Sequence, residues 1–149
     1  MKHQNSPHEK AAVYFKQGYN CAQSVLLTMQ QHYSLPDSEL IPKIATAFGA
    51  GIGRRGSLCG ALTGAVIAIG MKYGTNEPVL EKRMQAYTFA REFYERFVNE
   101  FGTPFCRELI GYDLTKPEEL EKARASKVFD EKCSRFVEKA IEIIIAIET

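Results

Sequence analysis

One stretch of this chain leaves few choices of fold. From Leu58 to Met71 run fourteen residues without a charge, three of them glycine. A membrane span needs about 20 such residues, so this segment reads as a buried helix and not as a membrane crossing. Gly56, Gly60, Gly64 and Ala68 recur every four positions, which on a helix makes one smooth stripe. Residues that small let a second backbone come close, along another helix of the chain or across a homodimer interface. That rule comes from membrane helices and is applied here by analogy.

The flanking segments read as further helices divided by short turns. Ser6-Pro7 opens the first, since proline suits the first helical position; Ala11, Ala12 and Phe15 supply its apolar face and Gly18 stops it. Asn20 caps a second, from Cys21 to about His32, with Val25, Leu26 and Met29 on one side. After the Leu35-Pro36 turn Asp37 caps a third, with Leu40, Ile41, Ile44 and Phe48 inward and Pro42 near its start. The longest helix ends at Phe101, and Phe89, Phe93, Phe97 and Phe101 recur along it with Met84 and Tyr94 beside them. An aromatic stripe at that spacing is a core face. Thr103-Pro104 starts a short helix, Lys116-Pro117 a charged one, and the last carries Val137, Ala140, Ile141, Ile144 and Ile145 on its apolar face. No segment alternates with period two, so no sheet is expected. The predicted fold is all-α, one domain over residues 1–149, as a compact bundle of about six to eight helices.

At this length a folded chain buries roughly two-thirds of its surface and needs no disulfide or metal for stability. A formal net charge of +1 offers no concentrated basic face, which excludes nucleic acid as an expected partner. Met1 to Lys10 is polar and lacks the apolar run of a secretory signal. The expected compartment is the cytoplasm, where thiols stay reduced and cysteines point to metal binding or redox chemistry more than to static disulfides.

There are four cysteines, Cys21, Cys59, Cys106 and Cys133, and no Cys-x-x-Cys. This argues against a thioredoxin-type pair and a zinc ribbon, so any site must be assembled by the fold. Their settings are more informative. Cys21 follows the cap Asn20, Cys59 lies two residues after Ser57, Cys106 three after Thr103, and Cys133 beside the capping candidates Asp130 and Ser134. All four are expected in or near a first helical turn, where about half a positive charge and unpaired N–H groups favour a thiolate. Such thiols ionise below the free value of about 8.5. Arg54, Arg55, Arg107, Lys132 and Arg135 would push the same way, and Cys59 is the expected attacking nucleophile. The competing reading makes each cysteine a small buried hydrophobe.

The run Gly49 to Gly56 holds four glycines and two arginines ahead of the apolar helix. Gly51, Gly53, Arg54, Arg55 and Gly56 are therefore candidates for binding an anionic cofactor at a helix N-terminus. A dinucleotide fingerprint would follow a strand, and no Gly-Lys-Ser/Thr marks a P-loop; a purely structural loop is the alternative. His3, His8 and His32 have no partner at metal-ligand spacing and receive no role.

At Cys59-Gly60-Ala61-Leu62-Thr63-Gly64 the sequence resembles a family taken to be redox-active and defined by four cysteines and a Cys-Gly-Ala-x-x-Gly motif (C_GCAxxG_C_C type). The likeness runs from Gly18-Tyr19-Asn20-Cys21-Ala22 to Cys133 and includes the glycine loop and the order of the cysteines. It implies that Cys21, Cys59, Cys106 and Cys133 act together. A similar domain occurs in split-Soret cytochromes, which makes an iron–sulfur cluster conceivable; without Cys-x-x-Cys-His, covalent haem attachment is not expected.

Two forms of redox chemistry follow. In one, a thiolate attacks and a second cysteine resolves, cycling between dithiol and disulfide with a redox partner still to be identified. In the other, all four cysteines hold an iron–sulfur cluster or another thiophilic metal. The alternative is a non-catalytic module that binds a metal, an anion or a protein, with structural cysteines; a four-thiolate zinc site would fit it.

Overall fold

Capping fixes where the first two helices begin, as the sequence predicts. The computed structural model describes residues 4–149, so His3 lies outside the described residues. Helix α1 spans Pro7–Lys16 and α2 spans Cys21–His32. Ser6 and Glu9 form one capping box. At the second, the Gln23 amide donates to Asn20 Oδ1 at 2.9 Å and the Asn20 amide to Gln23 Oε1 at 3.1 Å.

Helix α3, Leu40–Ala45, is short and runs into one 3-10 turn, Thr46–Phe48. Pro42 is its third residue, where no amide donor is required. Its expected inward face forms only in part. Ile41 and Ala45 are buried, but Leu40 and Ile44 are 65% and 49% exposed, because six residues present a single edge to α2.

The rest of the bundle is α4 (Gly60–Tyr73), α5 (Leu80–Phe101), α6 (Cys106–Ile110), α7 (Pro117–Ser126) and α8 (Ser134–Glu148), the last preceded by a π turn over Phe129–Cys133. Among the described residues there is no strand, only an antiparallel bridge between Leu58 and Phe105. None of their helices is long and apolar enough to cross a membrane.

The apolar stretch becomes α4, with Ala61, Leu62, Ala65, Ala68 and Ile69 in the core. Its small stripe is covered within the chain, by α2. A Cβ on Gly60 would collide with the Cys21 sulfur, and one on Gly64 would sit 2.5 Å from the Ala22 carbonyl oxygen. The backbones meet this closely because neither glycine has a side chain.

Helices α2, α4 and α8 pack on one another and run in the same direction. At their C-terminal ends Tyr33, Tyr73, Lys72 and Glu148 meet. The Tyr33 hydroxyl donates to Glu148 Oε1, and Lys72 Nζ lies 3.7 Å from Glu148 Oε2 and 4.4 Å from the Tyr33 ring centroid. Parallel neighbours require long crossovers, supplied first by α3 and then by α5 to α7. Helix α5 returns antiparallel: Phe89 stacks on Tyr73 and Phe101 meets Phe136 edge-on, with centroids 4.3 and 4.8 Å apart. Phe93 and Phe97 are fully buried; each such side chain contributes about 1.5–3 kcal/mol. Met84 and Tyr94 do not join this core face as expected. They are 45% and 39% exposed, since α5 meets the body along its phenylalanine edge alone.

Candidate cysteine site

At the other end of the three parallel helices the chain gathers its cysteines. Cys21 is the first residue of α2, Cys59 the N-cap of α4, Cys106 the first residue of α6, and Cys133 the last residue of the π turn leading into α8. All four line one partly enclosed cavity of about 150 Å3. Its walls are almost wholly apolar, with Phe15, Leu109, Ile110, Phe129 and Phe136 among the lining residues. All four cysteines are free, with Cys59 and Cys106 buried and Cys21 and Cys133 half-buried.

A short ladder fixes two of them. The Cys59 amide donates to the Pro104 carbonyl (2.8 Å), the Cys106 amide to Ser57 (2.7 Å) and the Arg107 amide to Gly56 (3.1 Å). Three of the expected cap positions are therefore corrected. Cys59 caps its helix itself, since Ser57 is held in the ladder. Phe105, not Thr103, precedes α6; the Thr103 hydroxyl instead accepts the Phe105 amide and bonds Glu108. Cys133 is not at a free helix start, because the π turn continues directly into α8, and Ser134 donates back to the Asp130 carbonyl.

The glycine run forms a left-handed turn. Ala50, Gly51, Ile52, Gly53 and Arg54 have φ of 54, 68, 66, 57 and 71°. Such backbone costs an L-residue about 1–2 kcal/mol, and a β-branched residue is an outlier there. The turn is fastened by amides of Gly53 to the Ala47 carbonyl (3.0 Å) and of Ser57 to Gly51 (2.9 Å). A Cβ on Gly51 would stand 2.6 Å from Cys106 Cβ, so the turn lies directly on the cysteine. Ala50 lines the cavity, while Gly53, Arg54 and Arg55 are exposed and Gly56 is half-buried.

The expected lowering of the thiol pKa values is overturned. Burial pushes all four up, to about 12 for Cys106 and well above the ordinary value for Cys59. Backbone amides act in the predicted direction but are outweighed: those of Ala50 in the turn and of Ala22 and Gly60 at helix starts favour a Cys21 thiolate, and those of Ala61 and Leu62 a Cys59 thiolate. Lys132 likewise lowers Cys133 without prevailing. The sulfurs also oppose one another's ionisation, Cys21 raising Cys59, Cys106 and Cys133. At neutral pH the cluster is therefore a set of neutral thiols. Among the described residues no three Cys, His, Asp or Glu side chains are spaced to hold a single metal ion.

Several contributors were not singled out from sequence. Phe129, Cys133 and Phe136 share a helix face by their spacing, as do Cys106, Leu109 and Ile110, and that signal was readable. Ala50 carried no signal, because nothing in its identity announces a left-handed backbone. Gln23 was readable as the partner of Asn20 in an Asn-x-x-Gln capping box.

Four cysteines brought by separate elements to one apolar cavity define an all-helical four-cysteine domain. The chain belongs to the family described as "Putative redox-active protein (C_GCAxxG_C_C)", whose sequence model matches residues 19–147. A protein of Archaeoglobus fulgidus, itself named only as uncharacterised, is 28% identical over 136 residues, 85% of this chain and 83% of its own. No solved structure matches.

Proposed function

We propose that the four cysteines act as joint thiolate ligands of a metal–sulfur centre, an iron–sulfur cluster being the best match, in a protein that carries electrons. The observation that supports this most is the single cavity lined by Cys21, Cys59, Cys106 and Cys133. Thiolates select iron–sulfur clusters and other soft metals. A lone ion would need sulfurs drawn to about 2.3 Å, and among the described residues no three ligands are spaced for one; a multi-atom centre would ask for less convergence and would use more of the cavity of about 150 Å3. When bound, such a centre supplies electron exchange at a potential set by burial and hydrogen bonds to its sulfurs.

The chain's own groups support ligation over exchange. Neutral, buried thiols are poor nucleophiles, yet a cation in their midst removes both their repulsion and the cost of ionising them. The starts of α2 and α4 direct partial positive charge at the cavity, and the amides that favour thiolates at Cys21 and Cys59 favour an anionic occupant too. Unpaired thiols suit a reducing compartment such as the cytoplasm. A second reading, dithiol–disulfide exchange, draws support from the half-exposure of Cys21 and Cys133.

Protein purified without oxygen and assayed for iron, zinc, acid-labile sulfide and visible absorption separates these. Iron with sulfide, lost in Cys59→Ser and Cys106→Ser, is the expected result. Zinc without sulfide would make the domain a binding module. A colourless, metal-free protein that reversibly forms one disulfide would favour exchange.

A further inference from the structure

The left-handed turn does something its own fold does not require. It holds a β-branched residue, Ile52, at φ 66° and leaves it 44% exposed. Strain kept at an exposed position calls for a reason outside the core. The two cations that follow, Arg54 and Arg55, are exposed and belong to no ion pair among the described residues. The ladder places Phe105, 42% exposed, on the adjoining segment. The turn and the segment paired beside it thus carry two exposed apolar side chains and two unpaired arginines.

This patch also lies in the right place. Gly51 rests on Cys106, and Ala50 and Cys106 both line the cavity. The wall between the patch and the sulfurs is one layer of chain. A protein held there would be separated from Cys106 by the turn alone.

We propose that Ile52, Arg54, Arg55 and Phe105 form the docking surface for an acidic-faced protein partner, directly outside the cysteine cavity. The occupant follows from charge complementarity: arginine is suited to carboxylates, and weak redox encounters use small patches steered by opposite charge. The partner's purpose rests on the redox reading above; the docking itself does not depend on the cavity being loaded.

The test is an NMR titration of the 15N-labelled full chain, metal-free and as purified, with a short peptide of glutamates interspersed with leucine. Shifts confined to residues 50–58 and 104–107 are expected, absent with a lysine–leucine peptide. Arg54→Glu with Arg55→Glu should weaken binding by about tenfold or more. Ile52→Asn, which suits a left-handed backbone better, should raise Tm by about 2 °C and still weaken the peptide. Shifts centred on Lys132 and Arg135, equal binding of the lysine peptide, or patch shifts that follow protein concentration without peptide would overturn the proposal, the last by assigning the face to a second copy. Docking without metal or redox activity would sink the cavity reading alone; a loaded centre without docking would sink the patch alone.

Discussion

Helices α2, α4 and α8 share two ends, and those ends are built on opposite principles. At one, polar groups find partners: Tyr33 donates to Glu148, Lys72 lies between Glu148 and the Tyr33 ring, and Tyr73 stacks on Phe89. At the other, four thiols face an apolar cavity with neither disulfide nor ion pair among them, beside a left-handed turn. The three aligned dipoles are part of the reason. Their negative ends meet a lysine, which relieves them; the free positive ends of α2 and α4 meet neutral sulfur, which does not. The aromatic end pairs its polar groups, whereas the cysteine end holds thiols that burial keeps protonated.

Raising the pH of metal-free protein should separate the ends most strongly. Cys106 is pushed up from its ordinary 9.0 to about 12, so the unfolded chain loses this proton first. The associated stability is complete below pH 9.0 and falls as the pH climbs to about 12, by about 1.4 kcal/mol per unit and about 4 kcal/mol in all. Tyr33 is raised as well, by burial and then by Glu148, but from an ordinary value of 10.0. Urea melts across this range should begin to weaken near pH 9, and near pH 10 in a variant with all four cysteines changed to serine. The same onset in both proteins would mean the thiols are not held protonated by the fold.

Next in size is Gly64→Val. Its side chain would enter the Ala22 backbone, for a loss of about 3 kcal/mol or more, and because α2 and α4 span the molecule both ends should loosen together. Gly70→Ala on the same helix meets nothing within 4 Å and should stabilise by about 0.5–1 kcal/mol. If chemical denaturation gives the two changes the same sign, the packing described between α2 and α4 is wrong. Tyr33→Phe should then cost about 1–2 kcal/mol, through the donor lost to Glu148, while metal content at the cysteine end stays unchanged.

The two ends were unequally legible in the sequence. Asn20 with Gln23, Ser6 with Pro7, and the apolar run after Cys59 are local signals, and the helices they announce begin within a residue or two of the predicted place. Phe93, Phe97, Val137 and Ile141 were readable as core from spacing alone. The parallel course of α2, α4 and α8 was not, since direction is set by crossovers with no pattern of their own. Nor was the balance at the sulfurs: a helix start favours a thiolate, burial opposes it, and only the depth of the cavity decides. Ile52 and Arg54 break local rules in their backbone, which no reading of propensity would place in a left-handed turn.

A change at the cap of α2 draws the comparison most sharply. Asn20→Ala removes a cap, worth about 1 kcal/mol, and the 2.9 Å bond from Asn20 Nδ2 to the Thr46 carbonyl that ties α2 to the segment before the glycine turn. Tyr33→Phe costs a similar amount at the far end of the same helix. If the ends are separable, the two variants differ in where the loss is felt. Asn20→Ala frays the first turn of α2 and, with it, Cys21, so alkylation of Cys21 by iodoacetamide, followed by mass spectrometry, should quicken severalfold. Tyr33→Phe should lower the melting temperature comparably and leave Cys21 as protected as before. Equal labelling in both would mean that α2 opens only as a whole, and that the cysteine end has no local stability of its own to lose.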